Sequence, residues 1–148
     1  MPDAAAELPG EPGAYVLLIR LDSELTLDMP SFRGKSLMPG LYAYCGSAYG
    51  PGGIRARVSR HLRGGKPLRW HVDRLTAAGR VEQVGILVAG RECDLATELL
   101  ATGGLQALPG FGSSDCRTCA GHLLHLPKVE TLPTDIFDLV VSGGREVH

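Results

Sequence analysis

The pattern of apolar and polar positions divides the chain into short segments that predict a mixed α/β domain. Continuous apolar runs and strict alternation both predict strands, whereas apolar residues three or four positions apart predict amphipathic helices. The predicted strands are 15–21, 24–28, 41–46, 81–88, 122–126 and 136–141, and the predicted helices are 54–62, 68–78 and 92–101. This order favours a small mixed or antiparallel α+β sheet flanked by helices over a doubly wound sheet.

Turn-forming residues separate these segments and suggest how the chain is organised. Residues 1–12 predict a flexible leader, and residues 13–148 predict one domain, since 148 residues suit a single core. Asp22-Ser23 predicts a tight turn, and the loops are predicted at 30–39, 49–53 and 108–115. Apolar residues form 44% of the chain but aromatic residues only 5%, so we expect a core of mainly aliphatic side chains.

The N-terminal residues and the apolar runs bear on location. The first 12 residues lack the basic and apolar regions of a secretion signal. No apolar run approaches the roughly 20 residues that span a bilayer. We therefore expect a soluble, cytoplasmic protein with no membrane partner, in which cysteines are thiols or ligands rather than disulfides. These cysteines are Cys45, Cys93, Cys116 and Cys119.

Charge gives two opposing indications about nucleic acid. The formal net charge of −1 is unlike the basic balance of a non-specific binder. Between residues 55 and 74, however, Asp73 is the only acid among seven basic side chains. These are Arg55, Arg57, Arg60, Arg63, Lys66, Arg69 and Arg74. Such a stretch can attract phosphates or can simply be a solvated helix face. Trp70, within it, can stack on a base or anchor a helix in the core.

A cysteine and histidine pattern near residue 120 is similar to a zinc site. It comprises Cys116, Cys119, His122 and His125. The two histidines have only two intervening residues, and on the predicted strand their side chains point to opposite faces. Because zinc needs four converging ligands, structural zinc is not expected. Cys116 can alternatively line a site, or act as a nucleophile beside Arg117.

Three ordered motifs carry the most specific chemical information. Gly13-Ala14-Tyr15 opens the first strand, and Tyr44-Cys45-Gly46 closes a later one. Arg57 and His61 follow on one helix face, and Glu92 opens another helix. Each feature alone has an ordinary explanation: a core tyrosine, a solvated helix face, or a carboxylate favoured by the helix dipole.

Taken in order, these motifs resemble the GIY-YIG endonuclease superfamily, with GAY and YCG as its two eponymous elements. The chain is most similar to the DUF123 branch, a domain also found fused to base-excision DNA glycosylases. The matching segments are GAYVLLIRL, LYAYCGSA, RVSRHLRGGKPLRWHVDRL, REC-x-LA and PGFGSSDC, which span residues 13 to about 125. Five ordered segments make the match specific where one tripeptide would not.

The resemblance implies a metal-dependent phosphodiesterase acting on nucleic acid, DNA rather than RNA, in DNA repair. A DNA glycosylase is the implied partner. One Mg²⁺ or Mn²⁺ would be held by Glu92, and Arg57 would bind the phosphate. Tyr15 and Tyr44 would frame the reaction centre, one helping to activate water, and His61 occupies a position where the family has histidine or tyrosine. Further substrate contacts are expected from Ser47, Arg60, His71, Ser114 and Asp115.

Several departures from the family pattern keep other functions open. The connection between Tyr15 and Tyr44 has 28 residues, longer than a hairpin turn, and YGPGG lengthens the approach to Arg57. Ser47 replaces a lysine of some members, and the family's late asparagine has no clear match. The alternatives are a non-catalytic nucleic-acid-binding module and a partner-binding module of the same fold. Dependence on metal and on Glu92 separates an enzyme from both.

Overall fold

The computed structural model describes residues 7–27, 32, 34–63, 72–107, 122–127 and 131–143. Within them the strands are β1 Gly13–Leu21, β2 Leu25–Thr26, β3 Ser36–Leu37, β4 Gly40–Ala48, β5 Arg80–Val88, β6 Leu105–Gln106, β7 Leu123–His125 and β8 Leu139–Ser142. The helices are α1 Gly53–Leu62, α2 Asp73–Ala78 and α3 Glu92–Ala101.

Six of these strands form one sheet in the order β6-β7-β4-β1-β5-β8, and β2 pairs with β3 in a separate ribbon. Each strand pairing in the described part of the chain is antiparallel. The longest apolar run, YVLLIRL, lies in β1 between β4 and β5 because a central strand is buried on both faces. The structure is therefore the small antiparallel α+β sheet with flanking helices that the sequence predicted.

The two faces of β1 contact different helices. Tyr15, Leu17 and Ile19 belong to a core cluster that includes residues of α1 and α2. Val16 and Leu18 alternate with them and belong to a second cluster that includes residues of α3. This is the period-two alternation of a strand, and it places a hydrophobic layer on each side of the sheet.

The predicted elements differ from the observed ones mainly where strands are very short. The predicted strand 24–28 is shorter in the structure, and the predicted loop 30–39 contains β3. β6 was not predicted, because a two-residue strand is too short to show a period. Residues 68–71 of the predicted second helix lie outside the described residues, which include α2 from Asp73 onward.

The segment before β1 is packed from Leu8 onward, unlike the flexible leader that the sequence predicted for residues 1–12. Leu8 is 1% exposed and belongs to the core cluster beside α1. The Ile54 amide donates to the Glu11 carbonyl at 2.9 Å, and the Ala89 amide donates to the Pro12 carbonyl at 2.9 Å. These bonds tie the segment to the start of α1 and to the end of β5. Residues 1–6 lie outside the described residues.

Candidate functional site

The candidate site lies at the end of the sheet where three strand ends meet. β1 begins there, and β4 and β5 end there, since Gly13 pairs with both Ala48 and Val88. α1 follows the end of β4 and α3 follows the end of β5. This topology brings the first turns of both helices to the same end of the sheet, although the helices pack on opposite faces.

A glycine at the start of α1 makes this turn from β4 possible. Gly53 has φ +62°, a left-handed conformation that glycine adopts without steric cost. A Cβ at this position would overlap the carbonyl groups of Gly10 and Glu11. Glycine is thus needed at the end of YGPGG, because α1 begins there in close contact with the N-terminal segment.

Three aromatic rings form the buried part of the site. The Tyr15 hydroxyl and His61 Nε2 are 2.6 Å apart in a buried hydrogen bond whose donor depends on the histidine tautomer. The centroid of the Tyr44 ring is 6.3 Å from that of Tyr15 and 6.1 Å from that of His61. The two motif tyrosines and His61 are up to 46 positions apart in the sequence but are direct neighbours in the structure.

The glycine of the YCG motif has a steric role in this cluster. Gly46 pairs with Tyr15 across β4 and β1. A Cβ at Gly46 would overlap the ring of Tyr15, so only glycine leaves room for that ring over the sheet. The glycine of the YCG motif therefore lies in a strand and also leaves space for a tyrosine side chain.

Arg57 is the cation of the site. Its Nη1 donates to the Ser47 carbonyl oxygen at 3.2 Å, which holds the half-buried side chain against the end of β4. Burial raises the pKa of Tyr15, and the positive charge of Arg57 and its side-chain hydrogen bond with that phenol oppose part of this rise. Ser47 is half-buried, and its carbonyl rather than its hydroxyl contacts Arg57.

Both phenols nevertheless have raised pKa values. Burial is the largest cause for Tyr15, followed by the neighbouring Tyr44, and together they raise its pKa well above the ordinary value. Burial raises the pKa of Tyr44 to about 12, and the Cys45 thiol adds to this effect. Each phenol is therefore neutral at physiological pH and can donate a hydrogen bond.

Glu92 completes the group from the opposite side of the sheet. It is the first residue of α3 and is partly exposed, and its negative charge raises the pKa of both Tyr15 and Tyr44. A carboxylate in the first turn is also stabilised by the helix dipole. The five residues that the resemblance implied as catalytic thus influence one another at one end of the sheet. They are Tyr15, Tyr44, Arg57, His61 and Glu92.

The donor set suits a cation that keeps most of its water. Within the described ranges no three histidine, cysteine, aspartate or glutamate side chains are grouped to hold a metal. Mg²⁺ commonly binds one or two carboxylates and completes its shell with water and substrate phosphate. Glu92, at the same end of the sheet as Arg57, fits that requirement, whereas a closed four-ligand site would need further protein ligands.

Arg60 has a structural partner that the sequence did not predict. Its Nη1 and Nη2 donate to the two carboxylate oxygens of Asp73 at 3.0 and 3.1 Å. The Asp73 side chain is fully buried, and this hydrogen bonding is the main cause of the raised pKa of Arg60. The pair joins α1 to α2, and the expected contact between Arg60 and substrate stays a prediction.

The basic stretch is not a uniform row of solvated cations. Arg55 Nε donates to the Leu8 carbonyl at 2.7 Å, so this side chain holds the N-terminal segment. Arg57 faces the ring cluster and Arg60 binds Asp73. Lys66, Arg69 and Trp70 lie outside the described residues. The three arginines of α1 therefore have different surroundings and do not form one row.

Three expected substrate contacts, His71, Ser114 and Asp115, lie outside the described residues, as do Cys116 and Cys119. The two histidines of the cysteine and histidine pattern are described. His122 Nε2 is 3.7 Å from the Sγ of Cys93 on α3, and the His125 ring stacks on Tyr42 with centroids 5.0 Å apart.

Tyr42 belongs to the cluster of α1 and α2, so the two imidazoles lie on opposite faces of the sheet. This agrees with their strand spacing. The absence of structural zinc stays a prediction. The contact between Cys93 and His122 joins residues 29 positions apart and had no sequence signal.

Comparison with protein families identifies the chain. The model of the domain of unknown function DUF123 matches residues 14–143, and the chain belongs to this family. No curated protein and no solved structure matches it. Among the described residues no helix is long and apolar enough to cross a membrane.

Proposed function

We propose that this protein is a metal-dependent phosphodiesterase of the GIY-YIG type that cleaves nucleic acid. One observation carries the proposal: a buried Tyr15–His61 hydrogen bond, a second tyrosine, an arginine and a carboxylate meet at one end of the sheet. They derive from four separate elements, β1, β4, α1 and α3. A hydrophobic core needs none of them, because buried polar groups cost free energy unless they are paired.

Arg57 is suited to bind the scissile phosphate. Cleavage requires compensation of the charge that develops on the phosphoryl oxygens, and a preorganised cation supplies it without reorganisation. The bond from Arg57 Nη1 to the Ser47 carbonyl fixes one side of the guanidinium. A guanidinium presents five N–H donors in a planar fork, the geometry that binds phosphate oxygens.

The two tyrosines act as neutral phenols in this proposal. Their raised pKa values make them hydrogen-bond donors, so Tyr44, which is partly exposed, can orient the attacking water or a phosphate oxygen. The Tyr15 hydroxyl and His61 Nε2 form a path by which a proton can leave the reaction centre. In the reaction, water loses a proton, its oxygen bonds to phosphorus, and the sugar oxygen leaves and gains a proton.

Glu92 would hold the divalent ion, Mg²⁺ or Mn²⁺. When bound, such an ion polarises the phosphoryl oxygen and lowers the pKa of coordinated water. Glu92 projects from the beginning of α3, and its charge reaches both phenols. Ser47, Arg60, His71, Ser114 and Asp115 remain proposed substrate contacts; for Arg60 the ion pair with Asp73 favours a supporting role.

DNA is the proposed substrate in preference to RNA, and DNA repair the proposed setting, with a DNA glycosylase as partner. The resemblance to domains fused to base-excision glycosylases supports this choice. The alternative, a non-catalytic module that binds nucleic acid or a partner protein, is favoured by the net charge of −1 and by the two arginines that bind groups of the protein itself.

The test is cleavage of a panel of labelled DNAs and RNAs, single-stranded, duplex, branched and damaged, with Mg²⁺, with Mn²⁺ and with chelator. We expect metal-dependent cleavage by the wild type, its loss in Glu92→Ala, and its retention in Glu98→Ala, which alters an exposed glutamate of the same helix. Failure of the wild type to cleave any substrate, with binding indifferent to chelator, would support the non-catalytic module instead.

A further inference from the structure

Tyr49 differs from the other described tyrosines because its side chain is largely exposed. Its residue is 56% exposed, whereas Tyr15 and Tyr42 are buried and Tyr44 is mostly so. It lies in the loop between β4 and α1, just beyond the strand end that forms the candidate site. An exposed aromatic ring by itself is ordinary, so its position relative to the site decides its meaning.

The chain on both sides of Tyr49 lies against the proposed phosphate-binding arginine. Two positions earlier, the Ser47 carbonyl accepts a hydrogen bond from Arg57 Nη1. One position later, a Cβ at Gly50 would be 3.7 Å from Arg57 Nη2. The backbone of Tyr49 is therefore held within a few ångströms of the guanidinium.

The hydroxyl of Tyr49 reaches towards the other side of the site. It donates to the Gly90 carbonyl at 2.7 Å, and Gly90 is two residues before Glu92. The ring thus bridges the loop that leads to Arg57 and the loop that leads to Glu92. With one end fixed by the backbone and the other by this hydrogen bond, the ring loses little further freedom when a flat ligand covers it.

We propose that Tyr49 is a stacking platform for an unpaired nucleobase next to the phosphate bound by Arg57. This rests on the proposed function and adds a substrate class to it: a strand whose base beside the scissile phosphate is unstacked. Every nucleobase has a π-face, so the platform selects unpaired over paired bases without reading sequence. The Tyr49 ring lies at the edge of the site, belongs to one of its loops and is hydrogen-bonded to the other. It is therefore placed to contact the base that follows the bound phosphate.

The experiment measures binding of fluorescent oligonucleotides by anisotropy, with chelator present so that no turnover occurs. The probes are a single strand, the same strand with about three abasic sites at its centre, and the duplex. The abasic stretch is shorter than the length of strand that one protein molecule covers. Wild type is compared with Tyr49→Ala, with Tyr49→Phe and with Leu105→Ala. Leu105 is a matched control, since it is also 56% exposed but lies on β6 at an edge of the sheet.

We expect Tyr49→Ala to weaken binding of the complete single strand between about fivefold and about 150-fold, the range for loss of one base–aromatic stack. Binding of the abasic strand should not change, because its phosphates still meet Arg57. Tyr49→Phe keeps the ring and should retain most of the affinity, and Leu105→Ala should match wild type. A ring that only joined the two loops would instead make Phe as damaging as Ala.

Equal losses on the complete and abasic strands, or no loss on either, would overturn the platform. The cleavage panel separates this result from failure of the proposed function. Base-dependent binding without any metal-dependent cleavage would leave the platform standing and reject the phosphodiesterase. Metal-dependent cleavage, with binding that depends neither on the base nor on Tyr49, would reject the platform and support the phosphodiesterase.

Discussion

The two faces of the sheet are built from the same strands but carry different chemistry. On the face of α3, β4 contributes Leu41, Ala43 and Cys45 to a layer made almost wholly of aliphatic side chains. On the face of α1 and α2, the alternate positions of β4 include Tyr42 and Tyr44, and His61 and Asp73 are buried there. The α3 face has one such polar residue among those described, His122 beside Cys93. One face is thus a hydrophobic core, and the other is a core that accommodates a candidate site.

The difference between the two faces lies in how their buried side chains are stabilised. Burying His61 and Asp73 costs free energy that aliphatic side chains would not, and each is compensated by a specific partner, Tyr15 and Arg60 respectively. A fold that needed only stability could use the aliphatic solution twice. The proposed function draws mainly on the polar face, and the following predictions test this distinction.

The largest expected effect is on the ion pair of the polar face. Asp73→Asn keeps the size of the side chain but leaves the Arg60 guanidinium without its buried counter-charge. We expect a loss of unfolding free energy of about 3 kcal/mol, at the lower end of values for broken buried pairs since Arg60 is partly exposed. Denaturant unfolding measures it, with the exposed Asp94→Asn on α3 as control. A loss as small as that of Asp94→Asn would show that the pair is incidental.

A comparable loss is expected from the apolar face, with a different consequence. Leu99 is 1% exposed in the cluster beside α3, so Leu99→Ala should cost about 2–5 kcal/mol through lost burial and the cavity left behind. The group that α3 contributes to the proposed reaction is Glu92 at its start, and Leu99 lies about two turns further along the helix. Activity per folded molecule should therefore stay at the wild-type value. Denaturant unfolding and cleavage assays on the same preparation measure both. A loss of activity per folded molecule in Leu99→Ala would contradict the assignment of different roles to the two faces.

Arg57→Ala, on the polar face, should lower activity with little loss of stability. Removing a preorganised donor from a charge-developing centre typically lowers the rate by about 100- to 1,000-fold, and the half-buried Arg57 should cost little stability. Cleavage kinetics and thermal unfolding together distinguish this from misfolding. Arg63→Ala, at the exposed end of α1, is the control. Similar rates in both variants would remove Arg57 from the site.

The smallest expected effect is a dependence of stability on alkaline pH. The pKa of Tyr44 is about 12 in the folded protein and about 10 in an unfolded chain. A raised folded pKa means that its contribution is complete below about pH 10 and is lost as pH rises towards about 12. Unfolding free energy should fall over that interval, less steeply in Tyr44→Phe. Identical slopes in wild type and variant would contradict the burial of this phenol.

Long elements could be predicted from the sequence because their periods are local. β1, β5, α1 and α3 were each expected within two residues of where they occur. β3 and β6 have two residues each and exist only through pairing with distant partners, so no local pattern marks them. The packing of Leu8 was also missed, since a short apolar residue among prolines carries no period.

The candidate site was partly predictable for a related reason. Ordered motifs identified Tyr15, Tyr44, Arg57, His61 and Glu92, and the topology brings them together. The Arg60–Asp73 pair and the Cys93–His122 contact depend on how α1 meets α2 and how α3 meets β7, which no spacing encodes. Tyr49 lay in a segment interpreted only as a turn, and its hydrogen bond to Gly90 gives it a place at the site.

The most direct test of the central claim is Mn²⁺ binding measured by electron paramagnetic resonance, in the presence of an oligonucleotide with non-cleavable phosphate linkages. The protein would be wild type, Glu92→Gln and Glu98→Gln. We predict bound Mn²⁺ in the wild type and in Glu98→Gln, dependent on the oligonucleotide, and its loss in Glu92→Gln. Equal binding by Glu92→Gln would contradict the assignment of the polar face, together with Glu92 at the start of α3, as a metal-dependent phosphodiesterase site.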